Sequence, residues 1–243
     1  MINPFSELRA FLRAALFEPV GAPPVEAAAT VRRRRWVAGA TLLGGAATLG
    51  WALRIPPGDP LFYLGTLALA LVWTVGAMAS GPLRLGRAHT RSGGAPSRAI
   101  VQSLALGALL LGIFLLGAAG VAQVPALRDP VQNLLDHARY GSLPLVALLT
   151  AINGIAEELY FRGALYAALP RPVAVAGTTL VYALTTLPGG VPLLVFAAAV
   201  LGLVVGLQRR VTGGVLGPMV THLTWSLGML FLLPAAFDTW SSR

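Results

Sequence analysis

Residues 156–163, AEELYFRG, place two adjacent carboxylates and a guanidinium inside a long apolar run. A charge at the centre of a bilayer costs on the order of 2.5 to 3.5 kcal/mol, so such residues face the interior of a helix bundle and usually mark a functional site. Two carboxylates in a low-dielectric site do not both ionise freely unless a cation is near, and Arg162 supplies one. One carboxylate can then stay charged while the other exchanges protons, as general acid/base hydrolysis requires.

The two glutamates are not equivalent on a helix. Glu158 and Arg162 stand four residues apart on one face, which is also the spacing of a purely structural ion pair. Glu157 points about 100° away and has no basic residue four positions before or after it. Asn153, one turn earlier, is a candidate hydrogen-bond neighbour. The spacing favours Glu157 as a general base and leaves the structural interpretation of the Glu158–Arg162 pair open.

A second polar element lies near the C-terminus, in the sequence THLTWS at residues 221–226. His222 and Ser226 are one helical turn apart and share a face. A single histidine in an apolar helix is more often a packing residue, but a membrane interior offers few partners other than the two glutamates. We therefore predict a shared cavity and five catalytic residues, which are Glu157, Glu158, Arg162, His222 and Ser226.

The composition places these residues in a membrane protein. The 243 residues are 56% hydrophobic and only 11% charged, with a mean hydropathy of +0.74, which is far more apolar than a soluble domain. The net charge of +9 comes from arginine, since the chain has no lysine. These arginines lie beside apolar runs rather than in a patch interleaved with aromatics, which argues against nucleic acid as a partner. The absence of cysteine excludes disulfides and thiolate metal sites.

A helix that spans hydrocarbon needs about 20 apolar residues. The sequence predicts an all-α transmembrane bundle of about seven spans, at residues 36–53, 61–79, 99–121, 143–168, 173–187, 191–207 and 215–237. The fifth segment is short and ends in Leu-Pro-Gly-Gly, which is typical of a tilted or broken span. We divide the chain into an N-terminal segment (1–35), variable N-terminal helices (36–142), a core (143–237) and a C-terminal tail (238–243).

Arginines occur in alternate connections between the spans, which predicts a cytoplasmic N-terminus and an external C-terminus in a bacterial-type plasma membrane. The arginines on the predicted inner side are Arg32 to Arg35, Arg84, Arg87, Arg91, Arg98, Arg171, Arg209 and Arg210. Residues 4–17 form one apolar stripe flanked by arginine, which predicts an interfacial helix, followed by the Pro-rich linker EPVGAPPVE. Residues 129–139 predict a short amphipathic helix outside, with His137 as a solvated side chain.

The two polar elements together resemble a known family. EELYFRG is similar to the Glu-Glu-x-x-x-Arg motif of the CAAX prenyl protease and bacteriocin-processing (Abi, or CPBP) intramembrane endopeptidases. The run TGGVLGPMVTHLTWS resembles their closing element, a Thr-Gly turn and a helix with His-x-x-x-Asn. The resemblance implies that Glu157 activates the water that attacks a peptide carbonyl. It further implies that Arg162 orients the carboxylates and that His222 contacts the oxyanion or a metal.

Two departures from the family pattern bear on activity and cofactor. The middle motif has an aromatic residue followed four positions later by His, and the matching stretch VYALTT has Tyr182 and then Thr186. The closing Asn is replaced by Ser226. Because hydroxyls are poor zinc ligands, the expectation is either no cofactor or a zinc ion held by Glu157 and His222, with zinc disfavoured.

Three functions are consistent with these patterns. The first is an intramembrane endopeptidase that cuts a membrane-embedded or lipid-anchored protein or peptide near the cytoplasmic face. The second is a degenerate member that acts as a membrane scaffold or immunity protein, which the missing middle His favours. The third, a proton-coupled transporter, lacks support because no pair of interrupted helices occupies matching halves of the chain.

Overall fold

The computed structural model describes residues 3–21, 26–52, 54–56, 59–90, 95–140 and 142–241, with the side chains of 133, 134, 136–140 and 241 outside this description. The predictions for His137 and Arg91 therefore fall outside the described residues, as do parts of the Pro-rich linker (22–25) and of the tail (242–243). Within these ranges the chain is helical, and its only strand-like pairing is one bridge between Ala88 and Ser97.

The described residues form nine helices. In chain order they are α1 (Pro4–Leu16), α2 (Ala28–Ala52), α3 (Leu61–Ser80), α4 (Ile100–Val121), α5 (Pro125–Tyr140), α6 (Leu143–Ala168), α7 (Arg171–Thr185), α8 (Pro192–Thr212) and α9 (Leu216–Ser241). A 3₁₀ turn, Leu187–Gly189, follows α7. The predicted all-α bundle is confirmed.

Five of these helices, α3, α4, α6, α8 and α9, are long and apolar enough to cross a membrane, so the protein is an integral membrane protein. The other two predicted spans correspond to α2 and α7. Helix α7 has 15 residues, about 22 Å at 1.5 Å per residue, against a hydrocarbon thickness of about 30 Å. Helix α2 begins at Ala28, so its first turns carry Arg32 to Arg35. The count of seven spans is not confirmed.

The helices pack in pairs, α4 along α9, α2 along α3 and α7 along α8. Small residues stand where helices approach closely, as is usual between membrane helices. A Cβ on Gly45 of α2 would lie 2.0 Å from the Cη2 atom of Trp73 on α3. Glycine at residue 45 therefore lets the indole of Trp73, which is 1% exposed, turn into the core.

Arginine side chains close one end of the bundle, where they donate hydrogen bonds to carbonyls at helix ends. Arg33 Nε donates to Ala79 O at 3.0 Å, at the end of α3, and Arg35 Nε donates to Ala168 O at 3.1 Å, the last residue of α6. Cations stabilise helix C-termini because the last carbonyls lack intrahelical partners. We call this set the arginine belt, which comprises Arg33, Arg34, Arg35, Arg209 and Arg210.

Arg34 is the most buried member of the arginine belt, at 1% exposure. Its Nε and Nη2 atoms contact the two carboxylate oxygens of Glu26 at 2.7 and 2.8 Å, and Nη2 also donates to Pro82 O at 2.6 Å. Its Nη1 donates to Ser80 Oγ at 3.2 Å. This bidentate pair joins the segment before α2 to the end of α3.

The turn between α8 and α9 is fixed by two glycines. Gly213 has φ of +72° and donates its N–H to Arg209 O, which ends α8 with a left-handed cap. A Cβ on Gly214 would lie 2.1 Å from the backbone N of Gly86. Val215 N donates to Arg84 O at 2.9 Å. The extended segment after α3 therefore sets where α9 begins.

Helix α1 forms over nearly the predicted range. Asn3 caps its first turn through a bond from Phe5 N at 3.0 Å, and Ala15 and Leu16 pack with Leu106 of α4. Arg210 Nη2 donates to Leu16 O at 3.4 Å, so α1 ends at the arginine belt.

The Glu26–Arg34 pair predicts an acid-sensitive contribution to stability. The hydrogen bond from Arg34 holds the pKa of Glu26 below its usual value, so the stabilisation is present above about pH 4.5 and is lost as the pH falls through the folded pKa. We expect the thermal midpoint of unfolding to fall below about pH 4.5 more steeply in the wild type than in Glu26→Gln. Glu18→Gln removes an exposed pair with Arg13 and should retain the wild-type slope. Equal slopes in all three proteins would contradict this assignment.

Candidate functional site

The site is built around an irregular turn in the middle of the bundle. Helix α6 changes at Leu159 to a π-helical turn, Leu159–Leu165, before it resumes for its last residues. Such widened turns are frequent at functional sites. Glu157 and Glu158 immediately precede this turn, and Arg162 lies within it. Nothing in the sequence indicates the π turn, because its residues fit an ordinary helix equally well.

Glu158 accepts two hydrogen bonds on one oxygen. Arg162 Nη1 lies 2.9 Å and His222 Nδ1 lies 2.8 Å from Glu158 Oε1. Glu158 and Arg162 are fully buried, and His222 is 5% exposed. The carboxylate therefore joins the π turn of α6 to α9, and the predicted pairing of Glu158 with Arg162 is present. We name Glu158, Arg162 and His222 the buried triad.

The Arg162 guanidinium is enclosed by aromatic and small residues. Its Cζ atom lies 4.7 Å from the centroid of the Tyr182 ring, a distance that gives a cation–π interaction. Gly202 of α8 makes room for both groups, because a Cβ there would lie 3.3 Å from Tyr182 Cδ1 and 3.4 Å from Arg162 Nη2. The Nε and Nη2 atoms have no hydrogen-bond partner among the described residues. Aromatic faces and Glu158 thus offset the buried charge.

Glu157 has a different environment from its neighbour. Tyr182 OH donates to Glu157 Oε2 at 2.7 Å, and Glu157 is partly exposed rather than buried. It lines a cavity of about 140 Å³ together with Tyr182, Thr186 and Trp225. The carboxylate predicted to act as a general base is therefore the one that reaches open space.

Two predicted neighbours do not join this arrangement. The amide of Asn153 donates to Leu149 O at 3.0 Å on its own helix, so the expected bond from Asn153 to Glu157 is wrong. Ser226 Oγ has no hydrogen-bond partner among the described residues. Ser226 shares the helix with His222, but it contacts neither glutamate through a hydrogen bond.

Buried side-chain hydrogen bonds hold α9, the helix that carries His222, against α4 and α8. Gln208 of α8 donates through Nε2 to Ser103 Oγ of α4 at 2.9 Å and accepts from Thr221 Oγ1 of α9 at 2.9 Å. All three side chains are fully buried. The next residue, Arg209, donates through Nε to Arg162 O in the π turn at 2.7 Å. Helix α8 therefore fixes the residue before His222 and the backbone of Arg162.

Sequence patterns do not predict the contributions of Tyr182 on α7 and of Thr186, the residue that follows α7. Tyr182 was identified only as the aromatic residue of an altered motif, although it holds Glu157 and stacks on Arg162. Thr186 lines the cavity, and its hydroxyl donates to Ala183 O at 2.8 Å. The one indication in the sequence that this helix has a polar role is Tyr182, which lies inside a predicted span four positions before Thr186.

The donor set does not fit a metal ion. Glu158 Oε1 is already occupied by Arg162 and His222, and Glu157 Oε2 accepts from Tyr182. Within the described ranges no group of three His, Cys, Asp or Glu residues is arranged to hold a metal. We therefore derive no catalytic step through zinc.

The comparison with protein families matches residues 139–228 to the model described as type II CAAX prenyl endopeptidase Rce1-like. This range contains the π turn, Glu157 and the whole buried triad. Comparisons with curated proteins and with solved structures found no match.

The Glu158–Arg162 pair predicts strong energetic coupling. Arg162→Met leaves a fully buried carboxylate without its guanidinium and should lower the free energy of unfolding by roughly 3 to 5 kcal/mol. The Glu158→Gln/Arg162→Met double variant removes both charges and should recover part of that loss, with a coupling of about 1 to 3 kcal/mol. Denaturant unfolding in mixed micelles measures the free energies of unfolding that give both the loss and the coupling. The exposed pair Arg128–Asp129 is the control and should show coupling near zero. Additive effects at the buried pair would contradict the prediction.

Proposed function

We propose that the chain, whose residues 139–228 match the model described as type II CAAX prenyl endopeptidase Rce1-like, is an intramembrane endopeptidase with Glu157 as its general base. One observation carries the proposal. The Glu157 carboxylate lines a cavity, whereas the neighbouring carboxylate of Glu158 is buried and paired with Arg162. The substrate is a membrane-embedded or lipid-anchored protein or peptide.

Glu157 acts on a water molecule that attacks the peptide carbonyl. Because Tyr182 OH donates to Oε2, Oε1 is the oxygen that accepts the proton of the attacking water. The oxygen of that water bonds to the carbonyl carbon, and the carbonyl oxygen becomes an oxyanion. The protonated Glu157 then delivers its proton to the leaving amine as the C–N bond breaks.

The buried triad supports this chemistry from behind Glu157. Glu158 fixes the orientation of the His222 ring through Nδ1, much as a buried carboxylate orients a catalytic histidine. We assign the Nε2 atom of His222 to the oxyanion, a role that requires a proton on Nε2 in addition to the one that Nδ1 shares with Glu158. Because Oε1 of Glu158 is already bonded to Arg162 and His222, we assign the proton from water to Glu157, which lines the cavity.

The arginine belt supports a cytoplasmic assignment for its end of the bundle, with the N-terminus inside and the C-terminus outside. Glu157 precedes Ala168 by about 16 Å along the helix. We propose that the scissile bond enters the membrane from the cytoplasmic face to this depth.

Loss of Glu157 gives the direct test of the general base. Glu157→Gln keeps the bond from Tyr182 but cannot accept a proton, so we expect kcat to fall by about 10²- to 10⁴-fold. The measurement is cleavage of fluorogenic peptides by purified protein in proteoliposomes. Ser226→Ala is the matched comparison. Because Ser226 Oγ has no hydrogen-bond partner among the described residues, its loss removes at most one hydrogen bond to substrate or water, and we expect kcat to fall by about two- to tenfold or less. Activity that survives Glu157→Gln would overturn the mechanism.

A scaffold or immunity protein is the second candidate function, because the Thr186 hydroxyl is turned toward its own helix instead of presenting an imidazole. Thr186→His places an imidazole in the cavity beside Glu157, and we expect a higher cleavage rate than in the wild type. Ala176→His, on an exposed face of α7 outside the cavity lining, is the control and should show no gain. Metal content and cleavage with and without chelator are measured on the same samples. No cleavage by the wild type or Thr186→His would favour the scaffold.

A further inference from the structure

The cavity beside Glu157 is an apolar pocket. Its walls include Leu49, Trp73, Phe161, Leu194, Ala198 and Leu201, which come from α2, α3, α6 and α8. The threonines in the lining donate to carbonyls of their own helix, Thr185 Oγ1 to Tyr182 O at 2.7 Å and Thr186 Oγ1 to Ala183 O at 2.8 Å. Apart from Glu157, the pocket therefore offers an incoming group mainly hydrocarbon and aromatic surface.

The size of the pocket limits what it can hold. Its volume is about 140 Å³, and an apolar cavity of about 150 Å³ in another protein binds a single benzene molecule. One aromatic ring or one branched aliphatic side chain fills such a space. An isoprenoid chain with more than twice the carbon atoms of benzene does not fit inside it.

The pocket lies on the side of Glu157 that is away from the arginine belt. Leu49 is close to the end of α2 at Ala52, Thr185 is the last residue of α7, and Leu194 is near the start of α8. These helix ends lie opposite the end that the arginine belt closes. A group that occupies the pocket therefore extends from Glu157 toward the end of the bundle opposite the arginine belt.

We propose that this pocket is a specificity site that takes one aromatic or branched aliphatic side chain of the substrate, adjacent to the peptide bond cleaved at Glu157. The inference rests on the proposed function, and it assigns recognition beside the scissile bond to an amino-acid side chain instead of a prenyl chain. Burial of the side chain supplies the selectivity, since each apolar carbon removed from water contributes to binding.

Narrowing or widening the pocket tests its role in selectivity. Ala198→Leu fills part of the cavity and should lower kcat/KM for phenylalanine-containing peptides relative to alanine-containing ones by at least about tenfold. Leu194→Ala widens the pocket and should shift preference toward tryptophan. Ala176→Leu makes the same addition on an exposed face of α7, outside the pocket lining, and should leave the preference unchanged. Equal preferences in all four proteins would overturn the proposal.

A binding measurement separates this inference from catalysis. A peptide with 4-bromophenylalanine is added to the Glu157→Gln protein, where bromine in the pocket lies beside Trp73 and Trp225 and should quench their fluorescence in a saturable manner. Ala198→Leu in the same background should weaken that quenching about tenfold, and Ala176→Leu should not.

The outcomes distinguish the two proposals. Saturable quenching without cleavage by the wild type would sustain the pocket and refute the endopeptidase. Cleavage without side-chain selectivity, or quenching that Ala198→Leu and Ala176→Leu change equally, would refute the pocket. Absence of both cleavage and saturable quenching would refute both.

Discussion

A single carboxylate oxygen, Oε1 of Glu158, organises the centre of the molecule by accepting from Arg162 and His222 at 2.9 and 2.8 Å. All three side chains are withdrawn from solvent, where an unpaired charge would be strongly destabilising. The pairing requires α6 and α9 to approach closely, and Gly154 permits this because a Cβ there would lie 3.1 Å from Leu223 Cδ2. The pairing of the buried charges therefore depends on the close packing of α6 against α9.

Bonds near the arginine belt hold the contact between Glu158 and His222 in place. Helix α8 carries Gln208 and Arg209, which bond to Thr221 and to the carbonyl of Arg162. The glycine turn after α8 fixes the start of α9 against the segment that follows α3. Since polar groups within a membrane must find internal partners, these bonds restrict the rotation and sliding of α9. The position of His222 is thus set by contacts several residues away.

Adjacent glutamates have different environments because a helix turns their side chains apart. Glu158 is enclosed and paired with Arg162, whereas Glu157 is held by Tyr182 at the wall of a cavity. Around them Trp73 and Phe161 pack against each other, with ring centroids 5.1 Å apart. The hydrolysis and the side-chain recognition that we propose both depend on this difference between a buried Glu158 and a Glu157 that faces the cavity.

The apolar runs, the arginine spacing and the cost of charge in lipid determined the all-α membrane bundle, and the i, i+4 rule determined the Glu158–Arg162 pair. The sequence also singled out Glu157 and His222, since ionisable residues are rare in such runs. Only the tertiary structure decided that His222 contacts Glu158, that Tyr182 holds Glu157, and that α6 contains a π turn. These features depend on how separate helices meet, whereas periodicity along one helix specifies only its own faces.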